Sequence, residues 1–129
     1  MLSNLSGGYV LRVVTILTVL IIIFSGTGQA ALANESVNTH RIEKQQAQAK
    51  IIICKVFGPY CKQALNVSWC ESKWYIWAQN GQYLGLFQMG SWERRTYGHG
   101  PGSWAQARAA LRYFIASGRD WSPWECNPY

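Results

Sequence analysis

The chain has 129 residues, with 12 Lys and Arg against six Asp and Glu, seven tryptophans and four cysteines. That length supports one small domain, which cannot bury a large core and usually needs reinforcement. The net charge of +6 favours polyanionic surfaces such as cell wall or anionic lipid. No basic stripe follows a single element, so we expect no nucleic-acid partner.

Residues 1–33 have the three-part layout of a secretory signal peptide. A polar stretch ends at Arg12, a run with ten apolar residues and two threonines covers residues 13–24, and Ala31 and Ala33 supply small residues for cleavage. A run of twelve residues reaches about 18 Å as a helix, short of the roughly 30 Å hydrocarbon core. We therefore expect a secreted protein, extracellular or associated with the cell wall, that meets the membrane only transiently. A retained anchor is the alternative.

Residues 34–50 are polar and rich in glutamine, which indicates a linker or a helical lead-in. The folded domain is then residues 51–129, and it contains all four cysteines: Cys54, Cys61, Cys70 and Cys126. An even number of cysteines in a small exported domain predicts disulfides, with three pairings open. No Cys-x-x-Cys pair is present, so we expect no metal site and no cofactor.

The first elements of this domain follow from local patterns. Residues 50–57 are apolar, either helix or strand. Pro59 suits the first position of a helix, and the spacing of Ala64 and Val67 then places Glu71 beside the buried stripe near the helix end. The turn signal Asn80-Gly81 predicts a hairpin or extended loop across residues 78–89.

Two helices are predicted in the second half of the domain. Ser91 can cap a short helix that ends at Tyr97, and Ser103 can begin a longer one through a capping box with Gln106. Gly118 ends the longer helix, whose apolar stripe is Trp104, Ala107, Leu111, Phe114 and Ile115. The predicted fold class is α+β, mainly α, with a minor β hairpin and disulfide staples.

The chemistry-bearing candidate is Glu71. Trp69 and Trp74 are close to Glu71 in sequence. A carboxyl group in aromatic surroundings tends to stay protonated, as a general acid must be before it protonates a glycosidic oxygen. A solvated residue at a helix end is the alternative. Tryptophan excess suits a saccharide cleft, for which Trp77 and Trp92 are candidates, whereas Trp104 is expected in the core.

Two segments carry a family resemblance: Cys-Glu-Ser at residues 70–72, and Gly-Leu-Phe-Gln at residues 85–88. Together they resemble the lysozyme-like transglycosylase superfamily. The similarity is closest to the catalytic domains of resuscitation-promoting factors and related small actinobacterial lysozyme-like proteins, which also end in a tail like Trp124-Glu125-Cys126. The chain departs from them in Lys73-Trp74-Tyr75, where glycines commonly follow Glu-Ser.

The resemblance implies a small lysozyme-like domain that cleaves peptidoglycan glycan strands at the β-1,4 linkage between N-acetylmuramic acid and N-acetylglucosamine. Glu71 would be the catalytic acid. Gln88 and Met89 would line the sugar groove with Tyr83 and Asn80 at its edge, and Trp92 is a further candidate for substrate binding. The implied disulfides are Cys70–Cys126 and, by remainder, Cys54–Cys61. We expect a monomer.

Whether the bond is hydrolysed depends on a second carboxylate. A retaining hydrolase needs it about 5 Å from the acid, and an inverting hydrolase needs it at about 6.5–9.5 Å. Glu93 is expected on a surface helix, paired with Arg94 or Arg95, and neither Asp120 nor Glu125 obviously faces a cleft. We therefore expect a lytic transglycosylase, in which Glu71 protonates the leaving oxygen and then deprotonates the C6 hydroxyl of the sugar to give a 1,6-anhydro end. Hydrolysis is the alternative for the product. A non-catalytic wall-binding module, or a small basic antibacterial protein, is the alternative for the function.

Overall fold

The computed structural model describes the backbone of residues 7–128 and the side chains of residues 31–128. Contacts divide the chain into two units, Met1–His40 and Arg41–Tyr129. Most of the signal peptide predicted for residues 1–33 lies outside the residues with described side chains, so it stays a prediction. Within the part of the chain that was described, no helix combines the length and apolarity needed to cross a bilayer.

Helix α1 spans Gly7–Phe57, so residues 34–50 are helical. In the first unit, residues 31–40 are all exposed. In the second unit, Ala49, Ile53 and Phe57 are buried at the four-residue spacing that places side chains on one helix face. The core of the second unit therefore begins at Ala49 and includes the last turns of α1.

A 3-10 turn at Gly58–Tyr60, with Pro59 near its start, leads into α2, Cys61–Ser72. Its buried residues include Ala64 and Val67, the positions that the apolar spacing predicts. Strands β1, Gln79–Asn80, and β2, Tyr83–Leu84, form the predicted hairpin as an antiparallel pair. The pairing of Asn80 with Tyr83 leaves a two-residue turn in which Gly81 has φ +56°, a conformation that glycine adopts without steric cost.

Helices α3, Ser91–Tyr97, and α4, Ser103–Ala116, complete the domain. The predicted serine caps are wrong: Gly90 and Gly102 occupy the N-cap positions, and neither helix start has a side-chain cap bond. Both serines lie one residue inside their helices, where they cannot take the extended N-cap conformation.

The predicted apolar stripe of α4 is only partly correct. Ala107 and Phe114 are buried, but Trp104 is 43% exposed and Ile115 is 48% exposed, so Trp104 is not a core residue. The buried face instead includes Gln106, Ala109 and Ala110. A polar residue occupies this face because its amide is fully engaged, as described below, and the alanines allow close packing.

The centre of the core is aromatic. Phe57, Phe87, Phe114 and Trp121 are all buried, with ring centroids 4.4 Å apart for Phe114 and Trp121 and 5.6 Å apart for Phe57 and Trp121. Such pairs contribute about 0.5–1.5 kcal/mol each beyond burial of their area. Trp121 therefore fixes the C-terminal tail against both α1 and α4.

Two disulfides close the fold, Cys54–Cys61 and Cys70–Cys126, with Cα atoms 4.4 and 5.9 Å apart. These are the pairings that the family resemblance implied, and they are confirmed. In the loop-entropy model the 56-residue closure stabilises the fold by about 4 kcal/mol and the short closure by about 2.5 kcal/mol. The fold class is likewise confirmed: the chain is mainly helical, with a small antiparallel hairpin and two disulfides.

Candidate functional site

A cleft of about 370 Å³ opens at the end of α2. Its walls come from four parts of the domain: the α2 end with Glu71, the hairpin and following loop, the first turn of α3, and the C-terminal tail with Tyr113 of α4 beside it. The hairpin and loop contribute four residues predicted to contact sugar, Asn80, Tyr83, Gln88 and Met89. Sequence segments far apart in the chain therefore meet around one carboxyl group.

Glu71 is half-buried at the base of this arrangement. Its Oε1 accepts a hydrogen bond from the Cys126 backbone N–H at 3.1 Å, so the Cys70–Cys126 bridge brings the tail onto the residue next to Cys70. Burial raises the pKa of Glu71, the Cys126 N–H opposes that effect, and the nearby charge of Glu125 raises the pKa further. Glu71 thus holds its proton at higher pH than an ordinary glutamate, as a general acid requires.

The loop below Glu71 is held by side chains of α2 and α4. The hydroxyls of Ser68 and Ser72 donate to the Leu86 carbonyl at 2.8 and 2.9 Å, and the Leu86 N–H donates to Gln106 Oε1 at 2.9 Å. Gln106 Nε2 also donates to the Ile76 carbonyl at 3.0 Å. The serine of the Glu-Ser pair therefore has a structural role, because it fixes the Gly-Leu-Phe-Gln segment to the helix that carries Glu71.

Gly85 and Gln88 shape the same loop. Gly85 has φ +79°, and a side chain there would overlap Gln106, so the close approach of loop and helix requires glycine. Gln88 Nε2 donates to the carbonyls of Ala78 and Gly85, both at 3.0 Å. The Gln88 amide nitrogen therefore braces the hairpin, while the residue still lines the cleft.

Glu93 is placed differently from its prediction. It lines the cleft and forms no ion pair among the described residues, because Arg94 instead donates to the carbonyls of Gln82 and Met89. Glu125 lines the cleft as well. The expectation that no second carboxylate faces the cleft is therefore wrong, since the local run of charge around Glu93 does not reveal which way each side chain points.

Two aromatic residues of the cleft lining, Tyr113 and Trp124, were not among the predicted site residues. Trp124 is buried, and its Nε1 donates to the Phe87 carbonyl at 3.0 Å. Burial raises the pKa of Tyr113, and the charges of Glu93 and Tyr97 add to that effect. Trp124 had a signal in the Trp-x-Cys tail, whereas Tyr113 is one of several aromatic residues on α4 and had none.

The structure does not bring Trp92 or Trp77 into the cleft lining. Both are more than half exposed, and Trp92 packs edge-on against Tyr97. Successive residues of a helix point about 100° apart, so Glu93 can face the cleft only while its neighbour Trp92 faces elsewhere.

The residues after Glu-Ser take a conformation that suits glycine. Lys73 has φ 55° and Trp74 has φ 60°, in the left-handed region that costs other residues about 1–2 kcal/mol. Side-chain contacts hold both in place: Lys73 Nζ lies 4.7 Å from the Trp69 ring centroid, and Trp74 Nε1 donates to the Leu65 carbonyl at 3.0 Å. A glycine at either position would adopt this conformation without the steric cost.

Comparisons with protein-family models, curated proteins and solved structures give no match to this chain. Among the described residues, no group of three or more His, Cys, Asp or Glu side chains could hold a metal ion. The features of the chain that bear on function are therefore the geometry around Glu71 and the two sequence motifs that meet beside it.

Proposed function

We propose that the protein is a secreted enzyme that cleaves peptidoglycan glycan strands at the β-1,4 linkage between N-acetylmuramic acid and N-acetylglucosamine. The observation that carries the proposal is the position of Glu71, half-buried in a cleft with its pKa raised by that burial. Carboxyl groups that lie in clefts and have a raised pKa are typical of general acids. Two disulfides are compatible with export.

The chemical step follows from this position. Glu71 donates its proton to the glycosidic oxygen while the bond from that oxygen to C1 of the muramic acid residue breaks. An oxygen nucleophile, either water or the C6 hydroxyl of the sugar, forms the new bond to C1 and gives up a proton. The Cys126 N–H then stabilises the carboxylate that is left. Tyr113 and Trp124 also line the cleft and offer aromatic surface for the sugar rings.

The substrate class is supported by the motifs rather than by the cleft volume. The Cys-Glu-Ser and Gly-Leu-Phe-Gln segments resemble those of peptidoglycan-cleaving enzymes, and they meet in this structure through Ser72 and Leu86. The positive charge of the chain also favours approach to an anionic wall.

The test is digestion of purified peptidoglycan by the full chain, with soluble fragments identified by mass spectrometry. Glu71→Gln retains an acceptor for the Cys126 N–H but has no acidic proton, so turnover should fall about 100- to 10,000-fold. Glu43→Gln makes the same change at an exposed residue of α1 and should digest like wild type. Unchanged digestion by Glu71→Gln would remove the basis of the proposal.

A wall-binding module or basic antibacterial protein is the second candidate, and exposed aromatic residues outside the cleft favour it. Trp77, Trp92 and Trp104 are all exposed, and Arg108 lies 5.2 Å from the Trp104 ring centroid. Such a protein would pellet with purified wall, release no soluble fragments, and be indifferent to Glu71→Gln.

A further inference from the structure

We propose that Glu93 is the general base that activates a water molecule, which makes the enzyme a hydrolase rather than a transglycosylase. This inference rests on the proposed function, because it assigns the second half of the reaction that Glu71 begins. It replaces the expectation that Glu71 works alone and forms a 1,6-anhydro end.

The first support is the placement of Glu93. It belongs to the first turn of α3 and lines the same cleft as Glu71, which lies in the last turn of α2. Glu93 has no hydrogen-bond donor and no ion pair among the described residues. A partly buried carboxylate without a structural partner is available to bind a water or a substrate hydroxyl.

The second support is the space made for this carboxylate. Gly90 precedes α3 in an ordinary extended conformation, with φ −68° and ψ 169°, so its backbone does not require glycine. A methyl group at Gly90 would nevertheless overlap Glu93 Oε2. The absence of a side chain at position 90 therefore allows the Glu93 carboxylate to lie against the backbone of Gly90, which also lines the cleft.

The third support is the relation of the three cleft carboxylates to one another. Glu125 is the acidic neighbour whose charge contributes to the raised pKa of Glu71, whereas the charge of Glu93 acts on Tyr113. Glu93 of α3 and Glu71 of α2 line the same cleft from two different helices. The proposed mechanism requires the carboxyl spacing of inverting glycosidases, about 6.5–9.5 Å, which leaves room for a water between the two groups.

Glu71 transfers its proton to the leaving oxygen as the C1–O bond breaks, and the oxygen of water forms a new bond to C1 from the opposite face. Glu93 takes a proton from that water. One water is consumed, one reducing end of inverted configuration is formed, and proton exchange with solvent restores both carboxyl groups.

The experiment is digestion of peptidoglycan in water enriched in heavy oxygen, followed by mass spectrometry and by NMR of the newly formed ends. Wild type should give reducing ends that carry heavy oxygen and are initially in the α configuration. Glu93→Gln should lower heavy-oxygen incorporation at least 100-fold, while Glu43→Gln should leave it unchanged. Urea unfolding of each variant shows whether the fold is retained.

Gly90→Ala tests the same role without removing the carboxyl group. Because Glu93 Oε2 is the far end of a flexible side chain, it should move aside with little loss of stability, and heavy-oxygen incorporation should fall at least 10-fold. This variant also covers the case in which Glu93→Gln fails to fold.

Three outcomes overturn the inference while leaving the proposed function intact: only 1,6-anhydro ends from wild type, initial β-configured ends, or full incorporation by a folded Glu93→Gln. Loss of water addition in Glu125→Gln but not in Glu93→Gln would assign the base to Glu125 instead. Absence of any soluble saccharide from wild type would contradict the proposed function itself.

Discussion

The attachment of the loop below Glu71 can be tested by removing the two hydroxyls that hold the Leu86 carbonyl. Ser68→Ala and Ser72→Ala each delete one donor, and the double variant deletes both donors that the structure describes for this carbonyl. Ser72 also donates to the Ser68 carbonyl at 3.0 Å. Its single proton is therefore shared, and it can shift wholly to Leu86 when Ser68 is replaced.

The magnitude follows from this redundancy. Each single variant should lower the free energy of unfolding by about 1 kcal/mol, the typical net value of one hydrogen bond, because the other serine still satisfies Leu86. The double variant leaves a buried carbonyl without these donors, which adds about 1–3 kcal/mol. The expected total is about 3–5 kcal/mol, so the interaction energy in the double-mutant cycle is about 1–3 kcal/mol.

Urea titration of the full chain, followed by tryptophan fluorescence and far-UV circular dichroism, measures all four free energies. Ser36→Ala, on the exposed surface of α1, is a control that should change stability by less than about 0.5 kcal/mol. If the effects of Ser68→Ala and Ser72→Ala add to within about 0.5 kcal/mol, the shared anchoring of Leu86 is refuted.

Two further predictions concern Lys73 and Glu71. Lys73→Gly should be more stable than Lys73→Ala by about 1 kcal/mol in urea titration, because both lose the contact with Trp69 but only glycine relieves the left-handed conformation; equal stability would contradict the strain. Glu71→Gln should change the pH dependence of stability, because the folded-state pKa of Glu71 is raised above its ordinary value of 4.5. The stabilising contribution of the protonated Glu71 is fully present below pH 4.5. It is lost as the pH rises through the raised pKa. Wild type should therefore lose stability relative to Glu71→Gln between pH 4.5 and neutrality, and parallel curves would contradict the burial of this carboxyl.

Local sequence patterns were sufficient for the elements whose signals are local. The turn at Asn80-Gly81, the helix that carries Ala64 and Val67, and the end of α4 near Gly118 all follow from short-range backbone preferences. The disulfide pairing came from the family resemblance, since cysteine spacing alone left three pairings open. The turn, the helix and the helix end depend on few contacts beyond their own segments, whereas the Cys70–Cys126 bridge joins residues 56 positions apart.

The errors arose where tertiary contacts override a local pattern. Gln106 is polar, yet it is buried because Leu86, Ile76 and Pro101 satisfy its amide. The predicted apolar stripe of α4 therefore omits Gln106 and wrongly includes the exposed Trp104 and Ile115. The arginines that follow Glu93 in sequence predict an ion-paired surface residue, and that prediction is wrong. The carbonyls that bind Arg94 come from the hairpin turn and the loop before α3, and no pattern within α3 could have indicated them.

The Cys70–Cys126 bridge has a consequence for when the site can exist. Glu71 receives its backbone hydrogen bond from Cys126, which lies 56 positions after Cys70. The tail that contains Cys126 also forms one wall of the cleft. Trp121 and Trp124 of the same tail are also needed to complete the core. A chain whose tail has not yet docked therefore carries the glutamate without the surroundings that raise its pKa, and the site is complete only once the tail is in place.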